Sequence, residues 1–496
     1  MKRLHRPMLV IAALLTAVCM PGCNSARNEK QQQVPPPKGK KNTQESTLAR
    51  LKAESATNLG ALAEYVAETH LSGEYKSDWI NYAAYVFALS KNDERAKELF
   101  KRAQWAKYST YNITLPAEVG YVEDTLAAIQ KMKKQNEKDE AMGRLIPFAL
   151  ANQKEALITP QLNRLSPKGQ LSAYISAARR CVQNVNMACA KQYFEKAADI
   201  GKTVLDKNGN NTTKKEIATI AIDVHATDAH PWLFDDLHPL SVVDLIDNAI
   251  QKNQVPFAET LSKKINRYTF ESVEALTLLA NSYHTAGDSK KFDVAYSQAL
   301  KKVSGIREKC RRGDAAAMVA GLARLKGDEK QKAAHIAMAF EIIKSGAHFG
   351  SGFECLAAQE PFRRLAHGGI CDVQVANADL LPDWKSEPAL MSSVARACIE
   401  QGDMENGMAI FNKADELDKS KYGKVYCSDV FKAWLELGEF DRAKQYLAAN
   451  SIDPLHRDVM FVISNFVYGF IRKGDFNQSS QETKALTTML HTFFVK

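Results

Sequence analysis

A small–large–small rhythm recurs along this chain. After a turn, Ala follows five positions on, a large apolar residue nine on, and Ala again twelve on. From Lys91 this gives Ala96, Phe100 and Ala103; from Val185 it gives Ala190, Phe194 and Ala197. Looser copies start at Gly287, Gly327, Gly402, Gly438 and Gly474. The last three glycines are 36 residues apart, and Asn253 to Gly287 spans 34. A period of this size predicts stacked helical hairpins, each burying its apolar face on the next. Before the first turn, Trp79, Ala83, Ala84, Phe87 and Ala88 make one helical face. Later hairpins are expected near 241–266, 271–302, 314–345, 388–417, 424–449 and 456–490. Gly-Asp pairs mark several turns, as at Gly287-Asp288, Gly327-Asp328 and Gly402-Asp403. Gly suits the left-handed position that ends a helix, and Asp caps the next one. Alternating strand patterns are almost lacking. The expected fold is therefore all-α, a solenoid of roughly eight to ten hairpins at this repeat length.

These residues resemble the tetratricopeptide repeat and its relatives. Ala84, Ala178, Ala280, Ala320 and Ala395 take the small first-helix position, and Phe87, Tyr283, Trp434 and Phe470 the aromatic one. Ala96, Ala190, Ala258 and Ala443 open the second helices, followed by Ala103, Ala197, Ala299, Ala339 and Ala414. The stretch from Ala188 to Gly201 is also similar to the Sel1-type repeat. Phe431 and Val467 depart from the small-residue rule, and Thr483 suits an atypical terminal cap. The resemblance implies a concave surface that binds protein or peptide, without catalysis. The repeats are expected over 46–201, 241–345 and 387–496. The intervening 202–240 and 346–386 read as irregular insertions that would split the array into lobes.

Charge and the N-terminus add a location. Lys2, Arg3 and Arg6 precede an apolar core from Met8 to Val18, too short to span a bilayer comfortably. Residues 1–22 therefore read as a signal peptide. Met20-Pro21-Gly22-Cys23 resembles a bacterial lipobox, which makes Cys23 the expected lipid anchor, although Leu is usual where Met20 stands. The resemblance implies membrane attachment through this lipid. Asn24 lacks the acidic residue that resembles an inner-membrane retention signal, which favours the outer membrane, facing the periplasm. Residues 23–45, with Pro35-Pro36-Pro37 and Lys38-Gly39-Lys40-Lys41, read as a flexible tether. The chain carries a formal +9, but six of those charges fall before residue 46. The near-neutral body gives no reason to expect a nucleic-acid partner.

Candidate chemistry is sparse. His225, Asp228, His230, Asp235, Asp236 and His238 lie within fourteen residues and could ligate metal, but match no standard spacing. An envelope enzyme built on that cluster is the alternative to a scaffold. Trp232 and Trp384, in the insertions, could line a glycan groove; Trp79 and Trp434 fall on core faces. No phosphate-loop, G-x-S-x-G or C-x-x-C pattern occurs. No cofactor, metal or catalytic residue is assigned. Export permits disulfides, with Cys181–Cys189 the first pairing to test and Cys355–Cys371 a second.

Overall fold

The computed structural model describes residues 38–103, 114–205, 211–265, 269–344, 360–373, 388–422, 429–472 and 476–495. Among these are 24 α-helices, one 3-10 turn and no strand. The chain divides into two compact units, Met1–Arg50 and Leu51–Lys496. Helix α1 (Lys38–Glu54) starts in the first, inside the stretch read as a tether. No described helix is long and apolar enough to cross a membrane. Cys23 and the rest of the leader lie outside the described residues.

The second unit begins with α2 (Leu59–His70), α3 (Gly73–Leu89), α4 (Asp93–Arg102), α5 (Leu115–Glu118) and α6 (Val122–Gln130). It continues through α7 (Gln135–Ala151), α8 (Glu155–Leu162), α9 (Pro167–Gln183), α10 (Met187–Val204) and α11 (Asn211–Asp223). Next come α12 (Pro239–Gln251), α13 (Val255–Ser262), α14 (Phe270–Thr285), α15 (Ser289–Val303), α16 (Lys309–Lys326) and α17 (Glu329–Lys344). The last are α18 (Glu360–His367), α19 (Pro388–Glu400), α20 (Met404–Tyr422), α21 (Asp429–Glu436), α22 (Phe440–Ala449), α23 (Arg457–Ile471) and α24 (Gln481–Phe494).

The turns work as the sequence suggests. Gly287, Gly327, Gly402 and Gly438 all adopt positive φ. After the first three, an Asp caps the following helix, as Asp288 accepts from Lys291 N at 3.0 Å and Asp328 from Gln331 N at 3.1 Å; Glu439, after Gly438, makes no such bond. Lys91, Gln153, Asn253 and Val185 stand at the same turn position with positive φ but carry side chains. Val185 is the most strained, because a β-branched residue fits the left-handed region poorly. Its side chain is 76% exposed and gains no packing in return. Val185→Gly should therefore raise stability by about 1 kcal/mol in denaturant titrations under oxidising conditions.

The irregular stretches hold structure that the repeat pattern does not announce. Within 202–240, α11 buries Ile217, Ala218, Ile220, Ala221 and Ile222 and packs on α9, α10 and α12. Within 346–386, α18 packs on α16 and α19. These helices continue the stack, so the separate lobes expected at the two stretches are not seen; Leu51–Lys496 is one compact unit. Residues 345–359 and 374–387 lie outside the described residues. At α16 the chain reads Gly313-Asp314-Ala315-Ala316-Ala317, and residues 313–323 are buried all round. The small side chains let α18 approach until a Cβ on Gly321 would meet the Gly368 backbone at 2.9 Å.

One row of helices forms the inside of the array, each packing on the next: α3, α5, α7, α9, α11, α12, α14, α16, α18, α19, α21 and α23. The row then returns to its start, because α23 packs on α3 and α24 on α2. The Trp79 indole, fully buried, donates to Ser464 Oγ at 2.8 Å and meets the Phe494 ring edge-on at 5.9 Å. Tyr82 meets Tyr468 at 5.5 Å, and Arg472 bonds Glu118 at 2.7 Å. The terminal cap expected at Thr483 is thus corrected. That residue is buried, bonds Asn477 O at 2.8 Å, and belongs to a helix packed on the first hairpin.

Cys181 and Cys189 form a disulfide across the α9–α10 turn. Cys371 bonds Cys398 rather than Cys355, joining the end of α18 to α19. Cys310 is also disulfide-bonded. Closing a 27-residue separation should stabilise the α18–α19 joint by about 3.5 kcal/mol in the chain-entropy account.

Candidate docking face

On the concave side of a curved row, helices that are not neighbours come within reach; on the convex side they diverge. Arg364 Nη1 of α18 lies 2.8 Å from Glu274 Oε1 of α14, spanning the intervening α16. That contact marks the concave face. Along the same row, solvent-facing polar positions recur three or four residues apart. On α9 these are Ser172, Ser176, Arg179 and Gln183, with the buried Leu171, Ala177, Ala178 and Cys181 facing the core.

Ion pairs link the stripe from helix to helix. Arg179 of α9 lies 3.5 Å from Glu216 of α11, and Lys215 of α11 pairs with Asp244 of α12. Further on, Arg396 of α19 pairs with Glu436 of α21. Such exposed pairs contribute at most about 1 kcal/mol each, so they orient side chains more than they hold the fold.

The carboxylates here are only partly hydrated. Burial pushes Asp223, Asp247, Glu274 and Glu400 above the usual carboxylate range, against the pull of Lys252 on Asp223, Arg364 on Glu274 and Arg396 on Glu400. Asp314 on α16 is the extreme case. It is 5% exposed, and its Oδ1 has no hydrogen-bond partner. Burial and then the neighbouring Glu360 push it up to about 7, while Arg364 and Arg311 hold it down. The stripe thus presents amides, hydroxyls, cations and carboxylates along many helices. That chemistry suits recognition of an extended polar partner.

The residues singled out in the sequence do not converge. His230 Nε2 sits 2.8 Å from Glu195 Oε2, His238 Nδ1 accepts from Leu240 N at 3.3 Å, and Asp235 pairs with Lys264 at 2.7 Å. His225 and Asp236 occupy positive-φ turn positions, and Asp228 is exposed. Among the described residues no three His, Cys, Asp or Glu side chains form a group able to hold a metal. Trp232 is half-buried, with its ring against Gly201 and Lys214 Nζ 5.9 Å from its centre. Trp384 lies outside the described residues; Trp79 and Trp434 are buried in the core. The concave stripe itself gave no distinct sequence signal, because its charges look like any solvated helix face. The one usable signal was the set of polar positions opposite each small-residue face.

This architecture is that of an α-α helical-repeat protein. No protein-family model and no curated protein matches the chain. Among solved structures, a "circular tandem repeat protein with novel repeat topology and enhanced subunit contact surfaces" aligns at 12% identity. That alignment covers 91% of this chain and 89% of the other, with a TM-score of 0.17. A likeness that slight carries no argument.

Proposed function

We propose that this chain is a non-catalytic scaffold with tetratricopeptide-like hairpins, tethered to a bacterial membrane through lipid on Cys23. It holds a protein or peptide partner on its concave face. The observation that carries this reading is the series of polar side chains paired from helix to helix between Arg179 and Glu436, on helices from across the chain. Helical repeats use such extended inner surfaces for binding. The lipobox-like Met20–Cys23 segment and the basic, apolar leader support the anchor. The outer membrane, on its periplasmic side, is the favoured location because Asn24 follows the cysteine.

The test is crosslinking in the native host, followed by affinity purification and mass spectrometry of partner and bait. Ser172→Arg with Ser176→Arg fills the α9 part of the stripe and leaves every ion-paired residue in place. Recovery of the partner should fall at least tenfold, which corresponds to about 1.4 kcal/mol of lost affinity. A partner held equally well by the blocked variant sinks the concave-face reading. Cys23→Ser should release the protein from membranes, and an N-terminal peptide bearing no lipid mass would overturn the anchor.

A further inference from the structure

Beside the α9–α10 turn a cavity of about 270 Å³ opens, lined by Gln153, Glu155, Ala188, Cys189, Gln192 and Tyr193. Cys189 Sγ lies 3.8 Å from Ala151 O at the end of α7, so the sulfur stands beside the turn that supplies Gln153. Its bonded partner, Cys181, is 0% exposed, against 4% for Cys189. The cavity therefore gives a reactant its way in on the Cys189 side. The chain between the two sulfurs is open to solvent, with Gln183, Asn184, Val185, Met187 and Ala188 all exposed. Val185 holds a positive φ there, so the turn opens locally at little cost.

Two further features favour exchange at this bridge over Cys371–Cys398. Cys189 is the third residue of α10, just after the Asn186 cap, and a helix N-terminus stabilises a thiolate. The bridge also spans a separation of 8 residues rather than 27, so it contributes less stability and the fold resists its loss less. The hairpin does not depend on it. α9 packs on α10, and Ala177, Ala178, Ala190, Phe194 and Ala197 are buried in the core. Cys371 and Cys398, by contrast, are 1% and 0% exposed and join successive helices of the inner row.

We propose that Cys181–Cys189 is a redox switch, opened by a dithiol reductant that enters at Cys189. The attacking thiolate bonds to Cys189 Sγ, and the bond to Cys181 breaks. Cys181 leaves with the electron pair and takes up a proton. The reductant's second thiolate then closes the reductant's own disulfide and releases Cys189 as a thiolate. Two electrons thus pass from the reductant to the bridge, and a disulfide oxidant runs the reaction back. The opened turn no longer fixes the end of α9, where Arg180 reaches Glu118 on α5 and the Tyr85 hydroxyl on α3. The redox state of one turn is thereby passed to the closing seam.

The test is graded reduction of the detergent-extracted full-length protein with dithiothreitol, after its free thiols are blocked. Thiols released at each step are alkylated and located by mass spectrometry. Cys181 and Cys189 should appear at a reductant concentration at least about tenfold below that which releases Cys371 and Cys398. With glutathione, the mixed disulfide should be found on Cys189 and the alkyl group on Cys181. Gln192→Trp fills the cavity from an exposed position and should slow reduction about tenfold, because exchange rates follow access to the attacked sulfur. Lys191→Trp, exposed beside it, should leave the rate unchanged. Amide exchange over residues 180–188 and 115–121 should rise on reduction. Release of both bridges at one concentration overturns the proposal, as does equal slowing by the two variants. So does a glutathione adduct on Cys181, or unchanged exchange over those residues. Each result is independent of whether the concave face holds a partner and of lipid on Cys23.

Discussion

Glu118→Ala is expected to destabilise the protein by about 3–5 kcal/mol, the usual cost of removing one partner from a buried ionic cluster. The Glu118 side chain is 3% exposed and takes contacts from α9 and from the residue that follows α23. Without it, the guanidiniums of Arg180 and Arg472 lose the buried carboxylate they share. The helix that carries Glu118 is only four residues long, with Pro116 in its first turn, and is otherwise held by its buried Leu115 and Ala117 and by Asn152, which donates to Ala117 O at 3.0 Å. Chemical denaturation should show a lower midpoint, and crosslinking between cysteines placed at the α3 and α23 ends should drop. Glu118→Gln separates charge from shape: it keeps the volume and should recover only a minor part of the loss. If Glu118→Ala melts like the native protein, closure does not depend on this cluster.

Asp314→Asn should do the opposite, stabilising the protein by an amount that grows as pH rises above about 4 and is complete above about 7. Asp314 has a folded pKa of about 7 against 3.8 in the unfolded chain. Between those values the folded form binds the extra proton, so stability falls as pH rises through the window and levels off above about 7. A tenfold change in proton affinity corresponds to about 1.4 kcal/mol, which places the penalty at pH 8 at as much as about 4 kcal/mol. The charged groups bearing on Asp314 are Glu274 on α14, Arg311 on its own helix, and Glu360 and Arg364 on α18. Asn removes the ionisation while keeping the shape. Denaturant titrations at pH 8 should therefore favour the variant, with the gap closing toward pH 4. A gap that stays constant from pH 4 to pH 8 would mean that Asp314 stays ionised throughout.

Much of the local structure could be read directly. Gly287, Gly327 and Gly402 end their helices with positive φ, and Asp288, Asp328 and Asp403 cap the next, because backbone sterics and capping act over a few residues. Trp79 and Trp434 are core because their spacing places them on apolar faces. α11 escaped because its Ile217, Ile220 and Ile222 follow no small–large–small rule, while Asp- and Pro-rich chain nearby suggested a loop. The Cys371–Cys398 pairing was hidden for a similar reason: adjacency along the row of inner helices, not sequence spacing, brings those thiols together. Closure was hidden more deeply. Trp79 and Ser464 are 385 residues apart, and no periodicity within a repeat encodes which repeat is met across the seam. The concave stripe follows from that curvature, so its residues could not be told from an ordinary solvated surface.

An open stack of hairpins ends in two unlike apolar surfaces, one at each extremity. Here α2 and α3 supply one and α23 and α24 the other, and each covers its counterpart within the same chain. Because the two surfaces are complementary and different, opening the seam would free a heterologous pair that fits the next molecule as well as its own. Chains with Trp79 or Glu118 replaced should then associate head to tail, first as exchanged dimers and then as longer strings that grow with concentration. On that expectation the intramolecular seam also covers the two surfaces through which one molecule would join the next.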